Sequence, residues 1–485
     1  MFDQLKKLFT DSVIYGVGYI ATRVITFLLL PFYTNTLTKE EYGIIALGFF
    51  FAGFAKIVYR YGTDSALIRN YELAEEPENK RLIFSTGFWS VSGTSLILSL
   101  LILLAANPIA SALFETTELS LIIVLLAGII LLDTLNVLPQ TLLRIREQPV
   151  YYVFVSFVNV TVTLGLNIYL VGYLQMGVVG VFIANIIASS AMFVTLTPVL
   201  FRELTPRFSK ERWLALFKFG LPLIPAGIGS MIMELIDRPI LKELTDVATV
   251  GLYSAGYKLG IFMMLVVSAF YFAWQPFFMK AGQQENGPEI FSRVFTYFMF
   301  ILCGLFIGLT FLLEYLVRIP LPGMGTLLGP DFLSATIIVP IIFAAYIMYG
   351  AYINFLPGIY LKNKSGKLAI YTGVGAIANI AGNFLLIPSL GITGAALATF
   401  LGYAVMAVLL YRANRTLYPI PYQWRKVATT FGITVVLVGI YYLTDLSLSV
   451  RILMILAYVV LHFVFGFVRM SELKQLAGRF KRVSA

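Results

Sequence analysis

Five cations lie inside runs of sequence that are otherwise apolar. Arg23 sits in YGVGYIATRVITFLLLPFY, Lys56 and Arg60 in AKIVYRYGTD, Lys218 in ALFKFG and Lys258 in AGYKLG. The acids in such runs are fewer: Asp133 in GIILLDTLNVLPQ, and Glu234 and Asp237 in MIMELIDRP. A charge held in hydrocarbon is costly and needs a partner or a wet cavity. Guanidinium meets phosphate through paired hydrogen bonds, whereas an ammonium acts as a point charge. The excess of cations over acids therefore reads as a pocket for an anionic, phosphate-bearing substrate, with Arg23, Lys56, Arg60 and Lys258 as candidate contacts.

Plainer roles compete with that one. Arg60, near the end of its run, reaches the surface by snorkelling, and Lys218 is read as a surface anchor. Asp133 is a candidate counter-ion for Arg23 or Lys56. Glu234 and Arg238, four residues apart, have the spacing of a local helical ion pair. If they are not structural, Asp133, Glu234 and Asp237 are the groups available to couple H⁺ or Na⁺. Asn136, Gln140, Asn159, Asn167 and Asn185 add polar groups that either face a sugar or tie helices together.

The elements that must position these residues are membrane helices. Only 12% of the 485 residues are charged and 59% are hydrophobic, against about 25% charged in soluble domains, and mean hydropathy is +0.86. Apolar runs of the ~20 residues needed to cross hydrocarbon recur along the chain. They give fourteen expected spans, from 11–33 to 450–468. Backbone groups in lipid must pair within their own segment, so the spans are helices and the fold is all-α and polytopic.

Lys and Arg set the orientation. The connections on one side, with both ends of the chain, carry most of the 35 basic residues, and the other side carries Lys39, Arg238, Lys242, Arg318 and Arg451. The asymmetry places both termini in the cytoplasm. It also accounts for the net charge of +10 without nucleic acid as a partner. The single cysteine, Cys303, excludes an internal disulfide and reads as a buried apolar residue.

The chain also matches itself. Pro31 is followed by Gly43, Ala46 and Gly48; Pro239 is followed at the same spacings by Gly251, Ser254 and Gly256. NVLPQTLLRIR at 136–146 parallels NFLPGIYLKNK at 354–364. The shift is six spans, an even number, so the halves keep one orientation as parallel repeats. The expected domains are an N-lobe at 1–210, a C-lobe at 211–420, and a C-terminal pair of helices with a basic tail at 421–485. Pro222 and Pro225 in FGLPLIPAGIGS predict a broken helix at the start of the second lobe.

Enzymatic chemistry has few candidates here. There is no Asp-x-Asp, the one histidine, His462, lies in the last span, and no Walker or Cys/His metal pattern occurs. No catalytic residue, metal or cofactor is expected. A membrane glycosyltransferase or polymerase is thereby disfavoured.

GNFLLIPSLGITGAALATFLGY at 382–403, LPFYTNTLTKEEYGIIALG at 30–48 and RYGTDSALIRNY at 60–71 resemble segments of polysaccharide-biosynthesis membrane proteins. These form a branch of the multidrug/oligosaccharidyl-lipid/polysaccharide exporter superfamily, and the resemblance extends over the whole chain. It implies a two-lobed, alternating-access flippase in the bacterial cytoplasmic membrane. The implied substrate is an oligosaccharide on a polyprenyl diphosphate, carried from the inner to the outer leaflet for surface polysaccharides such as O-antigen. Membrane lipids and the polysaccharide polymerase or glycosyltransferases are the implied partners. Related O-antigen and lipid II flippases carry basic residues on helices 1, 2 and 8, where Arg23, Lys56 or Arg60, and Lys258 stand here. The alternative within the superfamily is an ion-coupled multidrug exporter, which favours an acidic cavity.

Overall fold

A computed structural model of the chain describes residues 18, 21–362, 364 and 366–465. Much of the expected first span and the basic tail RFKR therefore lie outside the described residues. Among those described, twelve helices are long and apolar enough to cross a membrane, and Leu448–Val464 is a shorter apolar helix. The all-α polytopic reading is thus met.

The chain enters through a helical stretch at 21–27 and α1 (Leu29–Thr36). It then runs through α2 (Lys39–Arg60), α3 (Thr63–Glu72), α4 (Pro77–Leu104), α5 (Ala106–Phe114) and α6 (Ser120–Ile145). Next come α7 (Pro149–Asn167), α8 (Gly177–Glu203), α9 (Lys210–Gly220), α10 (Ile224–Leu235), α11 (Asp237–Leu244) and α12 (Val247–Leu259). The remainder comprises α13 (Ile261–Ala281), α14 (Gly287–Val317), α15 (Val339–Asn354), α16 (Pro357–Leu361), α17 (Gly366–Leu390), α18 (Ile392–Leu417), α19 (Trp424–Leu443) and α20 (Leu448–Val464). Two short antiparallel strands, β1 (Pro320–Leu321) and β2 (Gly325–Thr326), follow α14.

Local chemistry fixes the ends of these helices. Thr38 and Glu41 form a reciprocal capping box that starts α2, satisfying two backbone donors that the helix leaves open. Tyr61 and Gly62 take left-handed backbone conformations that stop it. Pro77 and Pro149 open α4 and α7, where a missing N–H costs nothing. The expected break at Pro222 is present: α9 gives way to a 3-10 turn at Leu221–Leu223 before α10 resumes. One expected span, 249–275, is divided at Gly260 into α12 and α13. The repeated Asn-x-x-Pro also diverges. Pro139 lies within the continuous α6, whereas Pro357 begins α16 after α15 has ended at Asn354.

Contacts gather the chain into two compact units. The first holds residues 1–259, 320–335 and 372–402; the second holds 260–319, 336–371 and 403–485. In the first, α2 is the central element. Gly43 meets the backbone of Val247, and Gly251 meets the backbone of Lys39, leaving no space for a Cβ at either crossing. These are the two glycines of the sequence repeat, and each faces the residue four positions before the other. At the far end of α2, Gly62 and Gly220 meet backbone to backbone in the same way. In the second unit Cys303 is buried. His462 is a structural contact: its Nδ1 lies 2.7 Å from the Tyr458 carbonyl and its Nε2 3.0 Å from Thr430 Oγ1.

Candidate functional site

Lys56 and Arg60 are one turn apart on α2, and the helix directs both toward α6. Lys56 Nζ lies 2.6 Å from Asp133 Oδ2. The other carboxylate oxygen of Asp133 accepts a hydrogen bond from Ser189 Oγ of α8 at 2.5 Å. Asp133 is thus the counter-ion of Lys56. Burial of one charge without the other would be far more costly than burial of the pair.

Arg60 has no such match. Its Nε is buried without a hydrogen-bond partner, and the residue lines a cavity of about 320 Å³ with Asp64, Asp133, Asn136, Gln140 and Arg144. Asn136 donates through Nδ2 to the Ser189 carbonyl at 3.0 Å, while its Oδ1 is left buried and unpaired. A cation and an amide oxygen with unused capacity make this cavity competent to receive a polar, charged ligand. Among the expected asparagines, Asn136 and Asn159 line it. Asn167 instead accepts from Tyr33 Oη at 2.7 Å, and Asn185 bonds the Val181 carbonyl of its own helix at 2.8 Å. Arg23 does not line this cavity; its side chain is exposed on the 21–27 helical stretch. Lys218 is also exposed, as expected of an anchor.

Lys258, in the last turn of α12, is partly buried and makes no ion pair or hydrogen bond among the described residues. It is a cation without an internal anion.

The third group forms around Asp237, at the start of α11, which has 0% exposure. Its Oδ2 accepts from Tyr253 Oη at 2.5 Å and Thr399 Oγ1 at 3.0 Å. Its Oδ1 accepts from Asn383 Nδ2 at 2.9 Å. Asn379 and Asn383 also bond each other at 3.2 Å, leaving Asn379 Nδ2 and Asn383 Oδ1 buried and unpaired. The Arg238 guanidinium lies over the rings of Tyr253 and Tyr257, 5.7 and 4.7 Å from their centroids. It also donates to the Glu234 backbone carbonyl. The expected side-chain ion pair between Glu234 and Arg238 is therefore replaced by a bond to the main chain, and the Glu234 side chain is exposed. Arg238 turns inward because the buried Asp237 and two tyrosine faces stabilise it better than an exposed carboxylate.

The Asp237 cluster pairs one carboxylate with two hydroxyls and one amide. Both carboxylate oxygens are taken by neutral donors, so the set holds one buried acid in place. Among the described residues no three His, Cys, Asp or Glu side chains gather as a metal site. Sequence reasoning singled out Asp237 but missed Tyr253, Asn379, Asn383 and Thr399. Asn383 and Thr399 both fall in the segment 382–403, but nothing in that segment points to Asp237.

Comparison with known proteins agrees with this architecture. A family model described as Polysaccharide biosynthesis protein matches residues 35–322. A protein of the Lsg locus of Haemophilus influenzae is 26% identical over 287 residues, 58% of this chain and 68% of its own length. Agl15 of Haloferax volcanii, named as a probable low-salt glycan biosynthesis flippase, is 22% identical over 49% of each chain. Among solved structures, the lipid II flippase MurJ in an inward closed conformation superposes with TM-score 0.76 at 16% identity, covering 93% of this chain and 98% of its own. An inward-facing multidrug resistance MATE family transporter of the MOP superfamily gives TM-score 0.62 at 15% identity, over 82% and 97% of the two chains.

Proposed function

The chain belongs to the polysaccharide biosynthesis protein family, and on that premise we propose that it is a flippase for a polyprenyl-diphosphate-linked oligosaccharide. It carries the lipid from the inner to the outer leaflet by alternating access between an N-lobe (1–210) and a C-lobe (211–420). The reading rests chiefly on Lys258, a partly buried cation without an internal partner. Arg60, with its unused buried donor, supports it. A diphosphate supplies the missing anion to both. Arg23 is assigned to the same path. Lys56, already neutralised by Asp133, contributes field rather than a direct contact.

Asp237 is the coupling residue of this scheme. The exposed Glu234 and the ion-paired Asp133 are less suited to take up and release H⁺ or Na⁺. Membrane lipids surround the protein in a bacterial cytoplasmic membrane, and the polymerase or glycosyltransferases work on either side of its step. The carrier performs no covalent chemistry itself.

Ligand-induced thermal stabilisation of the purified chain tests the anion reading. Polyprenyl diphosphate raises the unfolding midpoint, polyprenyl alcohol does not, and Lys258→Ala weakens the diphosphate effect. A charge-assisted hydrogen bond contributes about 1.5–3 kcal/mol, so the half-saturating concentration rises about tenfold or more. Equal responses of wild type and variant would remove Lys258 from the site.

A further inference from the structure

A second cationic recess lies away from these groups, where three helices end on the basic face of the first unit. Glu203, the last residue of α8, is 2% exposed. Arg146, just past α6, meets its carboxylate with two bonds of 2.7 and 2.5 Å. The same guanidinium donates to Tyr71 Oη, from Nη2 at 3.0 Å and from Nε at 3.3 Å. Glu203, through its hydrogen bonds, holds Arg146 above the ordinary arginine range.

That pairing uses up the carboxylate, yet three more cations approach. Arg81 and Arg202 place Nε at 3.6 and 3.7 Å from Glu203, close enough for charge attraction and too far to hydrogen-bond. Lys80 sits over the Tyr71 ring at 5.3 Å. Together with Pro77 these residues bound a recess of about 350 Å³. Four cations thus gather around one anion, with the donors of Lys80, Arg81 and Arg202 unmatched by any acceptor among the described residues. Lys80 and Arg81 also lie in the opening turns of α4, where the helix dipole favours anions over cations.

The recess is bounded by the start of α4 and the end of α8, and the connection after α8 is tied back to α4. Thr205 N donates to Ser85 Oγ at 2.8 Å, Trp89 Nε1 donates to the Thr205 carbonyl at 2.8 Å, and Ser209 N donates to Thr86 Oγ1 at 3.2 Å. These bonds pin the connection after α8 onto α4. The neighbouring recess differs, because Arg207 there is paired with Glu78 at 2.6 Å and Glu76 lies alongside. The two share Arg81, but the first sets four cations against one acid and the neighbour three against two.

We infer that the recess formed by Lys80, Arg81, Arg146 and Arg202 binds a phosphate group presented at the membrane surface, such as the headgroup of an acidic phospholipid. Paired guanidinium donors fit phosphate oxygens, and basic clusters at helix ends attract acidic headgroups. The recess shares no lining residue with the Arg60 cavity, and its proposal does not depend on the substrate.

The test uses the full chain in phosphatidylcholine nanodiscs and follows its thermal unfolding midpoint. Phosphatidylglycerol, added as a minor component, raises the midpoint of wild type. The double variant R81A/R202A, which leaves the Arg146–Glu203 pair intact, loses that rise and needs about tenfold more acidic lipid to recover it. R412A/R415A, which removes two exposed arginines of α18, keeps the rise. If inorganic phosphate in plain phosphatidylcholine discs reproduces it in wild type and not in R81A/R202A, the phosphate site stands and its ligand comes from solution. No rise in wild type with either ligand, or equal loss in both double variants, overturns the inference.

Discussion

Lys56 and Lys258 show what decides the role of a lysine inside a membrane protein. Both are flanked by apolar residues, and the sequence offers Asp133 as a counter-ion to Lys56 or Arg23 without deciding between them. Lys56 finds Asp133 at 2.6 Å; Lys258 finds no partner among the described residues. The pairing depends on which face of α6 turns toward α2, which is set by helix packing and cannot be read from spacing along one helix. Asp133→Asn leaves the Lys56 ammonium facing an amide. Because the pair is partly exposed, the loss is about 1–3 kcal/mol, seen as a lower unfolding midpoint. Removing both charges together, as K56M/D133L, recovers most of it. An unchanged midpoint for Asp133→Asn would show that the pair is not structural. Arg238 carries a related lesson. Its spacing from Glu234 suited an ion pair, but its guanidinium turned to tyrosine faces and a backbone carbonyl.

At the scale of elements, most of the helices were legible because length and hydropathy alone identify a membrane span. The proline-directed break after α9 was legible for the same local reason. The division between α12 and α13 at Gly260 was not, since no proline marks it and hydropathy continues across it. The repeat in Pro31–Gly43 and Pro239–Gly251 was visible as spacing, but its purpose was not. The two glycines allow α2 and α12 to cross in backbone contact, a close approach that any Cβ would force apart. Gly43→Val or Gly251→Val lowers stability by about 1–3 kcal/mol, as overpacking does. The readout is the unfolding midpoint together with cross-linking between Lys39→Cys and Val247→Cys in a background lacking Cys303. Retained cross-linking and an unchanged midpoint would show that the crossing tolerates a side chain. A smaller effect belongs to the start of α2, where Thr38→Ala removes the cap and costs about 1 kcal/mol.

The whole molecule sets a polar cavity lined by arginines and aspartates, a lysine without a partner among the described residues, and a buried acid–amide cluster in a polytopic helical protein. The chain belongs to the polysaccharide biosynthesis protein family, and the large anionic lipid-linked substrate is the proposal made on that premise. If Asp237 couples transport to an ion, Asp237→Asn removes the dependence on Na⁺ or pH while leaving stabilisation by polyprenyl diphosphate in place. Loss of both together would instead make Asp237 part of the substrate site or the fold. Its partners Asn383 and Thr399 were hidden because they come from distant segments that only the folded chain brings to α11. The proposed flippase meets the diphosphate of its lipid substrate through Lys258 and Arg60. This contact is tested most directly by reconstituting wild type and Lys258→Ala in liposomes at equal density and following a polyprenyl-diphosphate-linked glycan from one leaflet to the other. The account predicts transfer by wild type and a loss of about tenfold or more in the variant. Equal transfer by both proteins would contradict it.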